Sequence, residues 1–262
     1  MLGLLFLAVG TTAMAQKKEA MPAKMGTAKT MTWTSNSKAA KEWTQKGVNH
    51  FLNAEWPQAY DYFSRAVSVD PNFTEPLMYM AMMSFGDNKK DFTQRTLKTS
   101  ANKTEGEKLL ASVMDEKSTT ESRRETWTKL HNMFPDDPVI SSGFLRSRAT
   151  LDESIAAGEE LARKYPDLGF VQNQLGYLYM EKKDYETAKK HFEKYIELYP
   201  DGYNPYDSMG EFYLNTGDLA NAEKFYTKAL EKYPFNSSSL QAMEKIQAEK
   251  KKNNPDEKKE KE

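Results

Sequence analysis

The sequence predicts an all-α solenoid of stacked helix pairs, and three observations carry that prediction. The chain matches itself at a period of about 34 residues, the length of one helix–turn–helix unit. Within each half of the unit, apolar residues recur at i, i+3 and i+4, which places them on one helix face. Aspartates and prolines punctuate successive units at the same offsets, where a turn needs a cap and a helix needs a stop.

The self-alignment is sharpest in the C-terminal half. Gly176 maps to Gly210, Asp184 to Asp218, Ala188 to Ala222 and Pro200 to Pro234, while Tyr179 maps to Tyr213 and Phe192 to Tyr226. An earlier copy carries Trp43, Gly47, Ala59, Phe63, Ala66 and Pro71 at equivalent offsets. Leu175, Leu178 and Tyr179 form the apolar face of a first helix; Tyr185, Ala188, Phe192, Tyr195 and Ile196 form that of a second. Gly176 and Ala188 are small because the two helices cross closely there. Asp184 and Asp218 cap second helices, and Pro200 and Pro234 end them. No pair buries its own faces, so neighbours must stack.

This pattern resembles the tetratricopeptide repeat (TPR). The resemblance implies a right-handed superhelical solenoid over residues 38–250, clear at 40–72, 169–200 and 203–234 and degenerate at 74–166. About six helix pairs fit that length, with Ser238–Lys250 left as a C-terminal capping helix. In the degenerate part, Glu75–Phe85 and Lys90–Ser100 make one pair. Thr104-x-x-Glu107 is a capping box opening a helix to about Asp115, and Ser118-x-x-Glu121 opens another to Phe134 with Trp127, Leu130 and Met133 inward. Val139–Arg148 and Leu151–Lys164 form the next pair, stopped by Pro166.

The flanks differ from the body. Residues 1–15 read as an export signal: Leu2–Val9 is too short to span a bilayer, and Ala13-Met14-Ala15 is a small-residue cleavage site, though no basic residue precedes the run. The expected location is the periplasm or the medium. Residues 16–37 show no sustained period and read as a flexible linker, and residues 251–262 hold no apolar side chain and read as a disordered charged tail.

Composition narrows the function classes. With 37 Lys+Arg against 38 Asp+Glu, a net charge of -1 offers no basic surplus for nucleic acid or an anionic membrane surface. Zero Cys removes disulfides, thiolate metal sites, thiol catalysis and a lipid-anchoring cysteine.

No catalytic constellation is legible. His50, His131 and His191 lack the i+3 or i+4 partners of a zinc site, and no phosphate loop or nucleophile elbow occurs. His50 takes the repeat position of Tyr179 and Tyr213, which suits a packed side chain. Ser35-x-x-Lys38 matches a penicillin-binding motif without its partners. Met78-x-Met80-x-Met82-Met83 is the one stretch with metal-binding chemistry, as thioethers ligate Cu(I), but its members split between two helix faces and suit a core. No cofactor or metal is therefore expected. An accessory metal or small-molecule role for residues 78–83 is the alternative, with a hydrolase of unrecognised site behind it.

The resemblance implies that first helices line a concave groove for a protein or peptide partner. Carried over by position, the groove comprises Phe170, Asn173, Gln174 and Tyr177 in one repeat and Asn204, Asp207, Ser208, Glu211 and Asn215 in the next. Asp207 and Glu211 disfavour a carboxylate terminus and favour a neutral or basic segment.

Overall fold

A computed structural model describes residues 29–253. Thirteen helices and no strand occur among them. Six consecutive pairs are followed by a single helix. The pairs are α1 (Lys38–Leu52) with α2 (Trp56–Val69), α3 (Thr74–Met83) with α4 (Gly86–Ser100), and α5 (Glu105–Ser112) with α6 (Thr120–Met133). They continue as α7 (Pro138–Arg146) with α8 (Leu151–Lys164), α9 (Gly169–Glu181) with α10 (Tyr185–Leu198), and α11 (Asn204–Asn215) with α12 (Leu219–Lys232). The single helix is α13 (Ser237–Asn253). The expected all-α arrangement of six pairs and a cap is thus the observed one. The signal at 1–15 and most of the tail lie outside the described residues.

The repeat signature acts through close helix crossings. A Cβ built on Gly47, Gly176 or Gly210 would stand 2.6, 2.6 and 2.9 Å from Phe63, Phe192 and Tyr226, so the second helix's ring lies directly on the first helix's backbone. Ala59, Ala188 and Ala222 are fully buried at the same crossings. A second contact repeats beside each one. His50 stacks on Tyr62, Tyr179 on His191 and Tyr213 on Phe225, with centroids 5.4, 5.4 and 5.5 Å apart. Offset stacks of this kind contribute about 0.5–1.5 kcal/mol beyond burial. His50 is a packed side chain, as its repeat position predicted.

Turn chemistry repeats as well. Ala54, Lys183 and Gly217 all have positive φ (56°, 65° and 81°) and each precedes the first residue of a second helix's cap. The side chains of Asp184 and Asp218 accept from the backbone N–H of Thr187 and Asn221. The Thr104–Glu107 capping box is present in full. One cap sits one residue from its expected place. Thr119, not Ser118, opens α6 by accepting from Ser122, because the Ser118 hydroxyl is turned onto the Ser112 carbonyl. Tyr203 precedes α11, and the Asn204 amide is engaged with Tyr195. Residues 251–253, expected in the tail, instead belong to α13, which continues to Asn253.

The largest correction concerns the segment before α1. Composition placed residues 29–37 in a flexible linker; they instead lie extended against the solenoid until Ser37 caps α1. Met31 is buried against Gly106 and Phe134, and Trp33 packs between two core clusters. The segment ties down through long-range hydrogen bonds to the turn after α2, the first turn of α5 and the turn after α6.

Candidate functional site

The solenoid curls far enough for its first pair to meet its last two. The meeting point is the α1–α2 turn. Tyr199 donates to Glu55 Oε2 at 2.8 Å, and the Tyr203 backbone N–H donates to Glu55 Oε1 at 3.1 Å. His50 Nδ1 stands 2.7 Å from Oε2 on the same carboxylate. Tyr195 donates to Asn53, and Asn204 donates in turn to Tyr195. Glu55 is only 3% exposed, and a buried carboxylate is tolerated only when its lone pairs are filled as these are. Gly202 is obligatory beside it, since a Cβ there would fall 2.1 Å from the Tyr199 ring and 2.8 Å from Glu55 Oε1.

Glu55 was not among the sequence-derived candidates. It occupies the cap position that Asp184 and Asp218 hold in the later repeats, yet it makes no cap hydrogen bond. Its extra methylene carries the carboxylate past the helix end and across to the far repeats. Glutamate where the aligned repeats have aspartate was the available signal.

Closure encloses a cavity of about 1020 Å³ between α1, the extended N-terminal segment, and the turns preceding α7, α9 and α11. Its wall carries Glu55, Glu75, Asp137, Asp167, Glu197 and Asp201 against a single lysine, Lys232. Glu197 pairs with Lys194 at 2.9 Å and Asp201 with Lys232 at 3.9 Å. Burial, reinforced by Asp137 and Glu107, pushes the Glu75 carboxyl well above the usual range. Burial also raises Asp137, although N–H groups of Ile140, Met31 and Val139 partly offset it. Asp167 and Asp201 are exposed at the rim.

The residues carried over as a groove occupy different settings. Phe170 lines this cavity. Four of the others, Gln174, Tyr177, Ser208 and Glu211, form a seam between successive first helices. Gln174 donates to Ser142 at 2.6 Å, and Tyr177 donates to Glu211 at 2.7 Å and to Ser208 at 3.3 Å. Asp207 accepts from Asn236 and Ser238 at 2.9 and 2.8 Å and from Ser239, tying α11 to the start of α13. Asn204 and Ser208 are buried, and the Asn215 amide turns back onto the Glu211 carbonyl. Asn173 is buried with an Oδ1 that takes no hydrogen bond from the chain. Close stacking explains the difference: first helices that pack side by side consume their own polar groups.

The alternative centres are accounted for similarly. Met78 and Met80 are buried in the largest core cluster, with Met82 and Met83 packed against it. His191 pairs with Gln172, and burial, ahead of the opposing Glu159, lowers its pKa. No cluster of three or more His, Cys, Asp or Glu suited to a metal occurs among the described residues. No described helix is long and apolar enough to cross a membrane.

A tetratricopeptide repeat model matches residues 171–201 and 203–236. Those two segments carry tetratricopeptide repeats. The matched segments are α9–α10 and α11–α12, the two pairs in which glycine crossing, aspartate cap and stacked rings recur together. Among solved structures, yeast Tom70 shares the fold with TM-score 0.52 and 16% identity, covering 81% of this chain and 47% of the Tom70 chain. A thermophilic TPR protein of Thermus thermophilus aligns at 18% identity with TM-score 0.41, over 80% of this chain and 100% of its own. Cut9–Hcn1 of the APC/C aligns at 15% identity and TM-score 0.49, over 79% and 42%. Comparison with curated proteins gives no match. TPR folds are typical of protein–protein interaction scaffolds.

Proposed function

We propose that the chain is a non-enzymatic scaffold that takes a neutral or basic extended segment of a protein partner into its interior. The observation that carries this reading is the mouth of the cavity of about 1020 Å³, where Asp167 stands exposed beside Glu197 and Asp201, whose partners are the surface lysines Lys194 and Lys232. Low-dielectric walls focus such a field, so a cationic segment is drawn in and an acidic one rejected. The rim aspartates, Asp167 and Asp201, are the first charges such a segment meets. Export completes the reading: cleavage after Ala15 would deliver the scaffold to the periplasm or the medium.

The test is capture of partners by the chain beginning at Gln16, with the Asp167→Lys/Asp201→Lys variant alongside. Both substitutions lie on exposed turns and leave the helix crossings intact. Capture at least ten-fold weaker by the variant, and weaker for the wild type at higher salt, is expected. A partner held equally by both proteins would overturn the interior as the binding surface. N-terminal sequencing of the exported protein should read from Gln16; a chain retained in the cytoplasm with Met1 would overturn export.

A further inference from the structure

The extended segment before α1 lies on a regular surface. Its bonds fall at three successive junctions between helix pairs. Ser35 donates to Asp70 after α2, Thr34 donates through both N–H and hydroxyl to Glu107 in the first turn of α5, and Met31 and Lys29 donate through N–H to Asp137 and Asp136 between α6 and α7. The sequence separations are 35, 73 and then 106 and 107, so each step moves about one repeat along the solenoid. Lys103 closes the set by donating to the Thr34 carbonyl at 3.0 Å. The edge thus presents one or two carboxylates per repeat, and most of the donors they hold are backbone N–H groups. Any extended chain offers these.

Side chains supply the selectivity. Met31, Trp33 and Ser35 turn inward while Thr30, Thr32, Thr34 and Asn36 stay exposed, the period-2 alternation of a strand. Met31 fits against Gly106, where a Cβ would meet its sulfur at 2.9 Å and Phe134 at 2.7 Å, and Trp33 enters the hydrophobic clusters. Burial alone would raise Glu107; hydrogen bonds from Thr34 and Thr104 outweigh it and hold the carboxyl below its usual range. Backbone capture combined with alternate side-chain pockets is how extended peptides are bound.

We propose that this edge is a docking site for an extended protein segment with an apolar residue, an aromatic two positions on and a hydroxyl residue next to it, filled in cis by residues 29–35. Ser37 caps α1 immediately after the segment, so the cis occupant acts at an effective concentration in the millimolar range and a free segment must outcompete it. Met31 and Trp33 also line the interior cavity, but the carboxylates that hold the segment are Asp70, Glu107, Asp136 and Asp137, not Asp167 or Asp201.

The test uses a labelled peptide of residues 29–36 and the full chain. Met31→Ala/Trp33→Ala weakens the cis occupant and leaves the edge intact; it should bind the peptide at least ten-fold more tightly than the wild type does. Adding Glu107→Gln to that variant should return binding to the wild-type level, and a scrambled peptide should bind none of the three. Equal binding by wild type and the double variant, binding insensitive to Glu107→Gln, or no binding at all would overturn the proposal. Circular-dichroism melts establish that each variant is folded. If Met31→Ala/Trp33→Ala proves unfolded, hydrogen exchange in residues 29–36 of the wild type, accelerated by saturating peptide, replaces it, and unchanged exchange counts against the site. Partner capture that still depends on Asp167 and Asp201 alongside a failed exchange would dispose of the edge alone.

Discussion

The Tyr199 hydroxyl donates to Glu55 Oε2 at 2.8 Å across 144 positions of sequence. With the Tyr203 N–H on the other oxygen, this carboxylate joins the first helix pair to the last two. A buried acceptor that loses its place strands its donors, at a cost of about 1–3 kcal/mol. Glu55→Asp is the informative substitution, because its shorter side chain matches Asp184 and Asp218 and suits the α2 cap. The expected outcome is retained helicity with a larger radius of gyration by small-angle scattering. An unchanged radius would show that closure does not depend on this carboxylate.

Gly176 lies under the Phe192 ring, where a Cβ would stand 2.6 Å away. Fully buried at 0% exposure, that ring has little room to retreat. Gly176→Ala should therefore destabilise by about 1–3 kcal/mol despite alanine's better helix propensity. A thermal melt reads this as a drop of several degrees; a rise would mean that the crossing is looser than its spacing indicates.

Lys183 holds φ at 65° where the next repeat has Gly217 at 81°. A left-handed non-glycine residue costs about 1 kcal/mol, which glycine avoids. Lys183→Gly should then gain up to about 1 kcal/mol in chemical denaturation, against the usual direction for glycine. A net loss would show that the lysine side chain contributes more than its backbone costs.

Glu75 carries a raised pKa, caused first by burial and then by Asp137 and Glu107. A raised folded value means that the native state binds the proton more tightly than the unfolded chain. The stabilisation is present below about pH 4.3 and is lost as pH rises through the folded value. Glu75→Gln should match the wild type in melts near pH 4 and exceed it at pH 7, by roughly 2–4 °C if about 1 kcal/mol is relieved. A gap that is constant with pH would contradict a buried charge. Asp136 has the opposite sign: hydrogen bonds from Lys164, Tyr165 and Lys29 pull it down to about 2, so its contribution holds at neutral pH and fades as pH falls from about 4 towards 2.

What the sequence made legible was local and repeated. Gly176 over Phe192, the Asp184 and Asp218 caps and the stops at Pro200 and Pro234 each follow from residues within one unit, and the unit recurs. Closure was not legible, because it joins Glu55 to residues over 140 positions away and left only a glutamate in place of an aspartate as its trace. The extended segment left a clearer one. Thr30 to Ser35 alternate polar and inward-facing residues, a strand period that composition alone reads as linker. The contacts of the groove residues were not legible because they run between units: Tyr177 donates to Glu211 on α11, and Asp207 holds the start of α13.

The interior is tested most directly by calorimetric titration of a captured partner segment into the wild type and into Asp167→Lys/Asp201→Lys. Affinity at least ten-fold weaker in the variant, with wild-type affinity falling as salt rises, is the predicted result. Equal affinities, indifferent to salt, would contradict an acidic interior as the surface that the partner meets.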